Sequence, residues 1–240
     1  MRSTEWCGSG ARARLEGGGC DIIMPVTHLP AVLPLLLAAL PLYSQTKPPI
    51  DTEQARVTIA VGEPHRKSAL HEHSLNRVMV YLDAGTDRFT AEDGRVEDRK
   101  FASGDARWSP AGGRHTNQST GANPYRVVEV ELKNRGRVVT PGALDPVKLA
   151  PAGYRVLMDK LQVRVLGIRI GPNEKVPFHE HGLNRVVVYL SDAHLRVTEE
   201  GGKTAESSAR AGEVRLSGPG RHSEENLAGA PFEAVVVELK

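Results

Sequence analysis

From about residue 50 onward, short runs rich in Val, Ile and Tyr are broken by Gly, Pro and Asp clusters at roughly ten-residue intervals. That rhythm predicts an all-β chain of the sandwich or barrel kind. In the first part of the chain the expected strands are 56–61, 69–73, 77–82, 88–90, 95–101, 105–109 and 126–132. In the second part they are 163–170, 176–181, 185–190, 195–198, 204–209, 213–217 and 232–239. Glu92-Asp93-Gly94 and Glu200-Gly201-Gly202 read as hairpin loops. No long stretch has a helical period, and a short helix over 151–160 is expected where the two series join.

Residues 78–82, 186–190 and 235–237 are apolar at successive positions instead of alternating. Such strands are covered on both faces. One face would line its own barrel, while the other packs on a neighbouring sheet.

The natural neighbour is a second copy of the same unit. The segment His71 to Leu82, HEHSLNRVMVYL, returns at His179 to Leu190 as HEHGLNRVVVYL, 108 residues later. The register holds from Arg56/Arg164 to Gly112/Gly220. One residue is then dropped, and the match resumes from His115/His222 to the ELK at 131–133 and 238–240. A repeat this long marks a duplicated domain and not a solenoid. The organisation read from it is a leader over 1–44, a barrel over 45–133, a linker over 134–157 and a second barrel over 158–240. The linker carries prolines at 141, 146 and 151.

The leader contains an apolar stretch, 31–42, of signal-peptide length. It is shorter than the roughly 20 residues a membrane span needs. An exported chain, periplasmic or extracellular, with its true start at Met24 and a mature end near Gln45, is the expectation. Both cysteines, Cys7 and Cys20, would then be lost, which excludes a disulfide framework, a thiolate nucleophile and a Cys-ligated zinc. The leader also holds Arg2, Arg12 and Arg14 against Glu5, Glu16 and Asp21. Removing three of each from 31 basic and 29 acidic residues leaves 28 and 26, a net +2. That balance gives no reason to expect nucleic acid or an anionic membrane as partner, and the mature chain has no membrane span. A homodimer of the two-barrel chain stays an open option.

The candidate chemistry lies in the repeated histidines. His71 and His73, two apart on an expected strand, point to one face, and His115 follows after a Gly/Pro turn. The second copy supplies His179, His181 and His222. Three neutral imidazoles converging in a barrel make a site for Fe, Mn, Ni, Cu or Zn. Glu72 and Glu180 point away by alternation. The adjacent Glu224 and Glu225 read as a solvated loop. Arg56/Arg164 are expected in ion pairs, with Glu131 and Glu238 as partners. Asn76/Asn184 could line the pocket, and Tyr81/Tyr189 read as packing.

These residues resemble the cupin superfamily. Its first motif has the form G-x5-H-x-H-x3,4-E-x6-G, and its second the form G-x5-P-x-G-x2-H-x3-N. Gly104 to His115 fit the second motif, with Ser119 where Asn is usual. In the second copy Gly212, Gly220, His222 and Asn226 fit, with Gly218 in place of Pro and a turn one residue shorter. The resemblance covers nearly all of the chain after residue 50. It implies a bicupin: two tandem cupin-type β-barrels (double-stranded β-helix or jelly roll) related by pseudo-two-fold symmetry.

One departure bears on function. The carboxylate that the family uses as a metal ligand falls at Arg77 and Arg185. At about 5 Å and an effective dielectric near 20, a unit charge interaction is on the order of 3 kcal/mol, so a guanidinium aimed at a cation opposes its binding. Three readings stay open. In the first, Arg turns away from a three-histidine metal site. In the second, Arg77 and Arg185 hold an anionic small-molecule ligand. Or the site is metal-free, a polar barrel interior. The corresponding functions are a metal-dependent enzyme acting on a small carboxylate or enol, and a non-catalytic anion-binding or structural cupin. No catalytic residue is singled out by the sequence.

Overall fold

The computed structural model describes residues 50–240. The leader reading over 1–44, with Met24, Cys7 and Cys20, lies outside the described residues. What is described is nearly all strand. In chain order these are β1 (Ile50–Asp51), β2 (Ala55–Gly62), β3 (Arg77–Tyr81), β4 (Gly85–Ala91), β5 (Val96–Phe101), β6 (Ala106–Ser109), β7 (His115–Ser119) and β8 (Tyr125–Leu132). A four-residue helix, α1 (Pro146–Leu149), intervenes. The second series is β9 (Tyr154–Asp159), β10 (Val163–Ile170), β11 (Lys175–His181), β12 (Arg185–Tyr189), β13 (Ala193–Glu199), β14 (Thr204–Ala209), β15 (Val214–Ser217), β16 (Gly220–Asn226) and β17 (Phe232–Leu239).

The strand order repeats with the sequence. One sheet runs β1-β2-β8-β3-β6, and its counterpart runs β9-β10-β17-β12-β15. A second sheet in each half, β5-β4-β7 or β11-β16-β13-β14, faces the first across an apolar interior. The result is two tandem cupin-type barrels in pseudo-two-fold relation. Both expected hairpins form, β4 with β5 and β13 with β14.

Strand alternation assigns each side chain of the shared strands to one of two cores. Along β3, Val78, Val80 and Leu82 enter a cluster with Val163, Val165, Val186, Val188, Val235 and Val237 of the other half. Met79 and Tyr81 turn the other way and pack with Phe101, Tyr125 and Val127 inside the first barrel. The successive apolar positions read from the sequence are therefore two interleaved faces, one for each core.

Polar contacts between the halves repeat the symmetry. Asn76 Nδ2 donates to Gln162 Oε1 at 2.7 Å, and Asn184 Nδ2 donates to Gln54 Oε1 at 2.6 Å. This is the self-complementary pairing of a two-fold interface built within one chain. Asn76 and Asn184 thus clamp the halves together and do not line a pocket. Gly104 and Gly212, at equivalent turns, have φ of +85° and +87°. A Cβ on Gly104 would lie 2.9 Å from Leu190 of the other half, and one on Gly212 would lie 3.0 Å from Arg126. Both the conformation and the close approach favour glycine there.

Three local expectations are corrected. Residues 69–73 form no strand: they meet β7 through one isolated bridge, His71 with His115, and Lys67 just before them makes another with Gln118. The helix expected over 151–160 is instead α1 followed by β9, which pairs with β10. Asp145 caps α1, its carboxylate accepting from the Val147 amide, and Pro146 occupies the first helical turn. The third correction is the stretch after each turn at 112 and 220, where β7 and β16 replace the expected loop.

Leu132 and Leu239, equivalent residues 1% exposed in the shared core, test this arrangement. Leu132→Ala and Leu239→Ala should each cost about 2–5 kcal/mol. Because both halves contribute to one cluster, urea unfolding followed by circular dichroism should remain a single transition in each variant. Two separated transitions would mean that the halves are held independently.

Candidate metal centre

Each barrel gathers its three histidines. Ligand-capable atoms of His71, His73 and His115 lie within 4.8 Å of one another, as do those of His179, His181 and His222. Ring centroids stand 5.0, 4.5 and 5.7 Å apart in the first triad and 5.1, 4.5 and 5.6 Å in the second. Two origins produce this convergence. The first pair sits at alternate positions of one segment, and the third ring comes from the strand beside it, with His179 opposite His222 in the β11–β16 register.

Backbone carbonyls set the ring tautomers. Nδ1 of His71, His115 and His179 lies 2.9 Å from the carbonyl oxygens of Ala69, Gly113 and Pro177 respectively. A carbonyl only accepts, so Nδ1 donates and Nε2 keeps its lone pair. Nε2 of His115 and of His179 is buried with no hydrogen-bond partner. A buried acceptor without a donor is costly, and a cation supplies what is missing.

Carboxylates stand behind the second ring of each triad. Glu238 Oε1 is 3.0 Å from His181 Nδ1, and Glu131 Oε1 is 3.7 Å from His73 Nδ1. Each is backed by the expected arginine: Arg56 Nε donates to Glu131 at 2.6 Å, and Arg164 Nη1 is 3.5 Å from Glu238. Arg164 is also held by Asp145, the cap of α1. A carboxylate on the outer nitrogen orients an imidazole and raises its ligand strength.

Four of the six rings, His73, His115, His179 and His181, are held neutral. Burial lowers the pKa of His73 to about 3, helped by the charge of Arg77. Burial lowers His179 to about 4 and also lowers His115 and His181. Neutral imidazole is the form that ligates a metal.

Arg77 and Arg185 occupy different settings. Arg77 is 2% exposed, with its Nη1 3.5 Å from Glu129 Oε2, and neither its Nε nor its Nη1 makes a hydrogen bond. Burial lowers its pKa, against the opposing pull of Glu129 and Glu131. Arg185 donates through Nη1 to the carbonyl of Gly218. Glu180 is turned outward as expected, paired with Arg221 at 3.2 Å, and Glu72 is exposed.

Glu224 overturns its reading as a solvated loop residue. It lies on β16 two positions after His222, on the same face, with Oε1 3.2 Å from His222 Nε2. Its Oε2 accepts the Tyr154 hydroxyl at 2.9 Å, and the Tyr154 ring packs 5.4 Å from that of His179. Burial would raise its carboxyl, but the His222 hydrogen bond and the neighbouring histidines hold it at about 2. Glu225 points outward to Arg196 at 3.0 Å. Had 220–226 been read as a strand, the i, i+2 spacing from His222 would have revealed Glu224. Glu129 was also missed, although the strand expected over 126–132 already places it on the same inward face of β8 as Glu131. Tyr154 was hidden in the expected helix.

The first barrel is built differently at the matching positions. There, Asp87, Arg99 and Asn117 form a buried polar cluster, with Arg99 bonded to Asp87 at 2.8 Å and to Asn117 Oδ1 at 2.7 Å. Leu195, Ser207 and Glu224 replace these three residues in the second barrel.

No protein-family model matches the sequence, and no curated protein matches it. Solved structures do. AerE from Microcystis aeruginosa is similar with a TM-score of 0.59 at 12% identity, over 78% of this chain and 88% of its own. Oxalate decarboxylase from Bacillus subtilis, in a study of its Mn(II) centres, is similar with a TM-score of 0.56 at 13% identity, over 79% and 70%. A cupin 2 conserved barrel domain protein from Leptotrichia buccalis gives 0.50 at 12%, over 80% and 86%. The chain therefore has the bicupin fold. Among the described residues no helix is long and apolar enough to cross a membrane.

The pKa shifts predict how the metal-free protein responds to acid. Unfolded, these histidines take up protons near pH 6.5, whereas folded His179 and His73 do so only near 4 and 3. Between those limits the unfolded chain binds more protons, so stability falls as pH drops. Glu224, depressed to about 2, adds a loss of the same sign as pH falls below about 4.5. After chelator treatment, the urea midpoint should decline steadily from pH 7.5 to pH 4.5. A midpoint that rose over that range would contradict the neutral-ring assignment.

Proposed function

We propose that this chain is a metal-binding bicupin in which His71, His73 and His115, and separately His179, His181 and His222, each hold a divalent transition cation. The observation that carries the reading is the pair of buried Nε2 atoms, on His115 and His179, that face their triads without a partner. Fe, Mn, Ni, Cu and Zn all accept imidazole ligands, and the ligand set does not choose among them. A cation bound by three rings keeps coordination positions for a small molecule, and would supply Lewis-acid or redox chemistry toward a carboxylate or enol.

The chain's own contribution is orientation and charge. Carbonyl-anchored rings present fixed lone pairs, and Glu131 and Glu238 position the second ring of each set. Arg77, with unpaired donors inside the first barrel, suits one anionic group of a small ligand. Arg185 would need to leave the Gly218 carbonyl to do the same. Apolar strands on both faces of β3 and β12 keep water from the deeper interior.

A second reading, a non-catalytic receptor for small anions without metal, draws on the same Arg77 donors, Nε and Nη1, that make no hydrogen bond. The apolar run at 31–42 supports export, with the site working in a periplasmic or extracellular setting.

Elemental analysis separates the two readings. The purified protein should carry about two equivalents of transition metal, falling by about one in His71→Ala and about one in His179→Ala. Metal-free protein that still binds acetate, with binding lost in Arg77→Ala, would favour the receptor.

A further inference from the structure

The two triads have nearly the same ring spacings, but their surroundings differ, and the difference is one of charge. Beside the second triad stands a carboxylate, Glu224, and the residue at the same place beside the first is the neutral Asn117. Asn117 is tied to the cation Arg99, and Arg77, whose Nε and Nη1 make no hydrogen bond, faces the same cavity beside Glu129. In the second barrel Arg185 is drawn off to the Gly218 carbonyl.

We propose that Glu224 supplies the second barrel with a carboxylate arm for its cation, making it the tighter of two unequal metal sites. The inference rests on the reading that the triads bind metal. It places the acid on β16, beyond the third histidine, instead of on the strand after the first two, where Arg185 stands.

Geometry supports this. Two ligand atoms on one cation, each at about 2.1 Å, are separated by roughly 3.0–3.4 Å. The 3.2 Å between His222 Nε2 and Glu224 Oε1 falls in that interval. Without a cation the pair is held together by a hydrogen bond, and with one the same two atoms can share it. Tyr154 fixes the other carboxylate oxygen from β9, so the side chain is held beside the triad before any ion arrives. The first barrel has Asn117 where this carboxylate stands. It meets a cation with histidines alone, in a cavity whose guanidinium, Arg77, is already opposed by Glu129.

The experiment is a titration of chelator-stripped full-length protein with Co²⁺, read by calorimetry and by the visible spectrum of the bound ion. Wild-type protein should show two sites of unequal affinity. Glu224→Gln, which keeps the side-chain shape and a hydrogen-bonding oxygen, should weaken the tighter site by about 10–100-fold, alter its spectrum and leave the other unchanged. Asn117→Glu tests the idea in the opposite direction and should tighten the weaker site. His222→Ala identifies which binding event belongs to the second barrel. If Glu224→Gln titrates like wild type while the histidine variants lose their sites, the proposal falls and the metal reading stands. If neither wild type nor variants bind Co²⁺, the metal reading falls, and this inference with it.

Discussion

A few strands in this protein each serve two cores at once. β3 and β8 in the first half, and β12 and β17 in the second, send alternate side chains to opposite faces. One set is the valine layer shared between the halves. The other set is the lining of a barrel, where Arg77, Glu129 and Glu131 lie among Met79, Tyr81 and Val127. Because the side-chain period is two, a one-residue slip would drive Arg77 into the shared core and pull Val78 into the polar cavity. The apolar layer thereby fixes the register that aims the charged residues at the histidines.

Burying a guanidinium beside three imidazoles needs compensation, and the two barrels supply it by different routes. Glu129 stands against Arg77 from the neighbouring strand, and burial raises its own carboxyl against the pull of that arginine. In the second barrel Val236 occupies the matching position, so no such partner exists there, and Arg185 turns to a backbone carbonyl. Its acid is Glu224, on the opposite sheet and bonded to the triad itself. Each interior therefore carries acids that the other lacks, Glu129 and Asp87 in the first barrel and Glu224 in the second, and their places put the balancing charge at the arginines or at the histidines.

What the sequence makes legible follows from periodicity. Strands such as Val163–Ile170, Arg185–Tyr189 and Phe232–Leu239 stand where the apolar runs put them, because burial on one or both faces is written directly into residue type. The histidine triads were legible for a different reason: three rings repeated at one spacing leave few arrangements other than convergence. Four features were not. β7 and β16 are polar strands, HTNQS and GRHSEEN, so no apolar signal announces them. Glu224 was lost with β16, since only a strand places it on the same face as His222. Residues 69–73 look like 177–181, yet only the latter pairs as a strand, and that depends on the neighbouring chain and not on composition. Asn76 and Asn184 could not be assigned from one half alone, because their partners lie in the other copy.

The pattern of what differs between the copies has a physical cause. A two-fold interface must complement itself, so a change at Asn76 or Gln54 in one half leaves an unpaired polar group facing the other. The glycines at 104 and 212 are held in the same way, each pressed against a residue of the opposite half. No such reciprocity links the two interiors. Asp87, Arg99, Asn117 and Tyr125 make one closed polar set within the first barrel, and Leu195, Ser207, Glu224 and Phe232 make a different set within the second. Each set can change without reference to the other, provided that its own buried charges are paired. The duplicated frame thus constrains the halves to match where they touch and leaves them free to diverge where ligands bind, and it is there that their electrostatics separate.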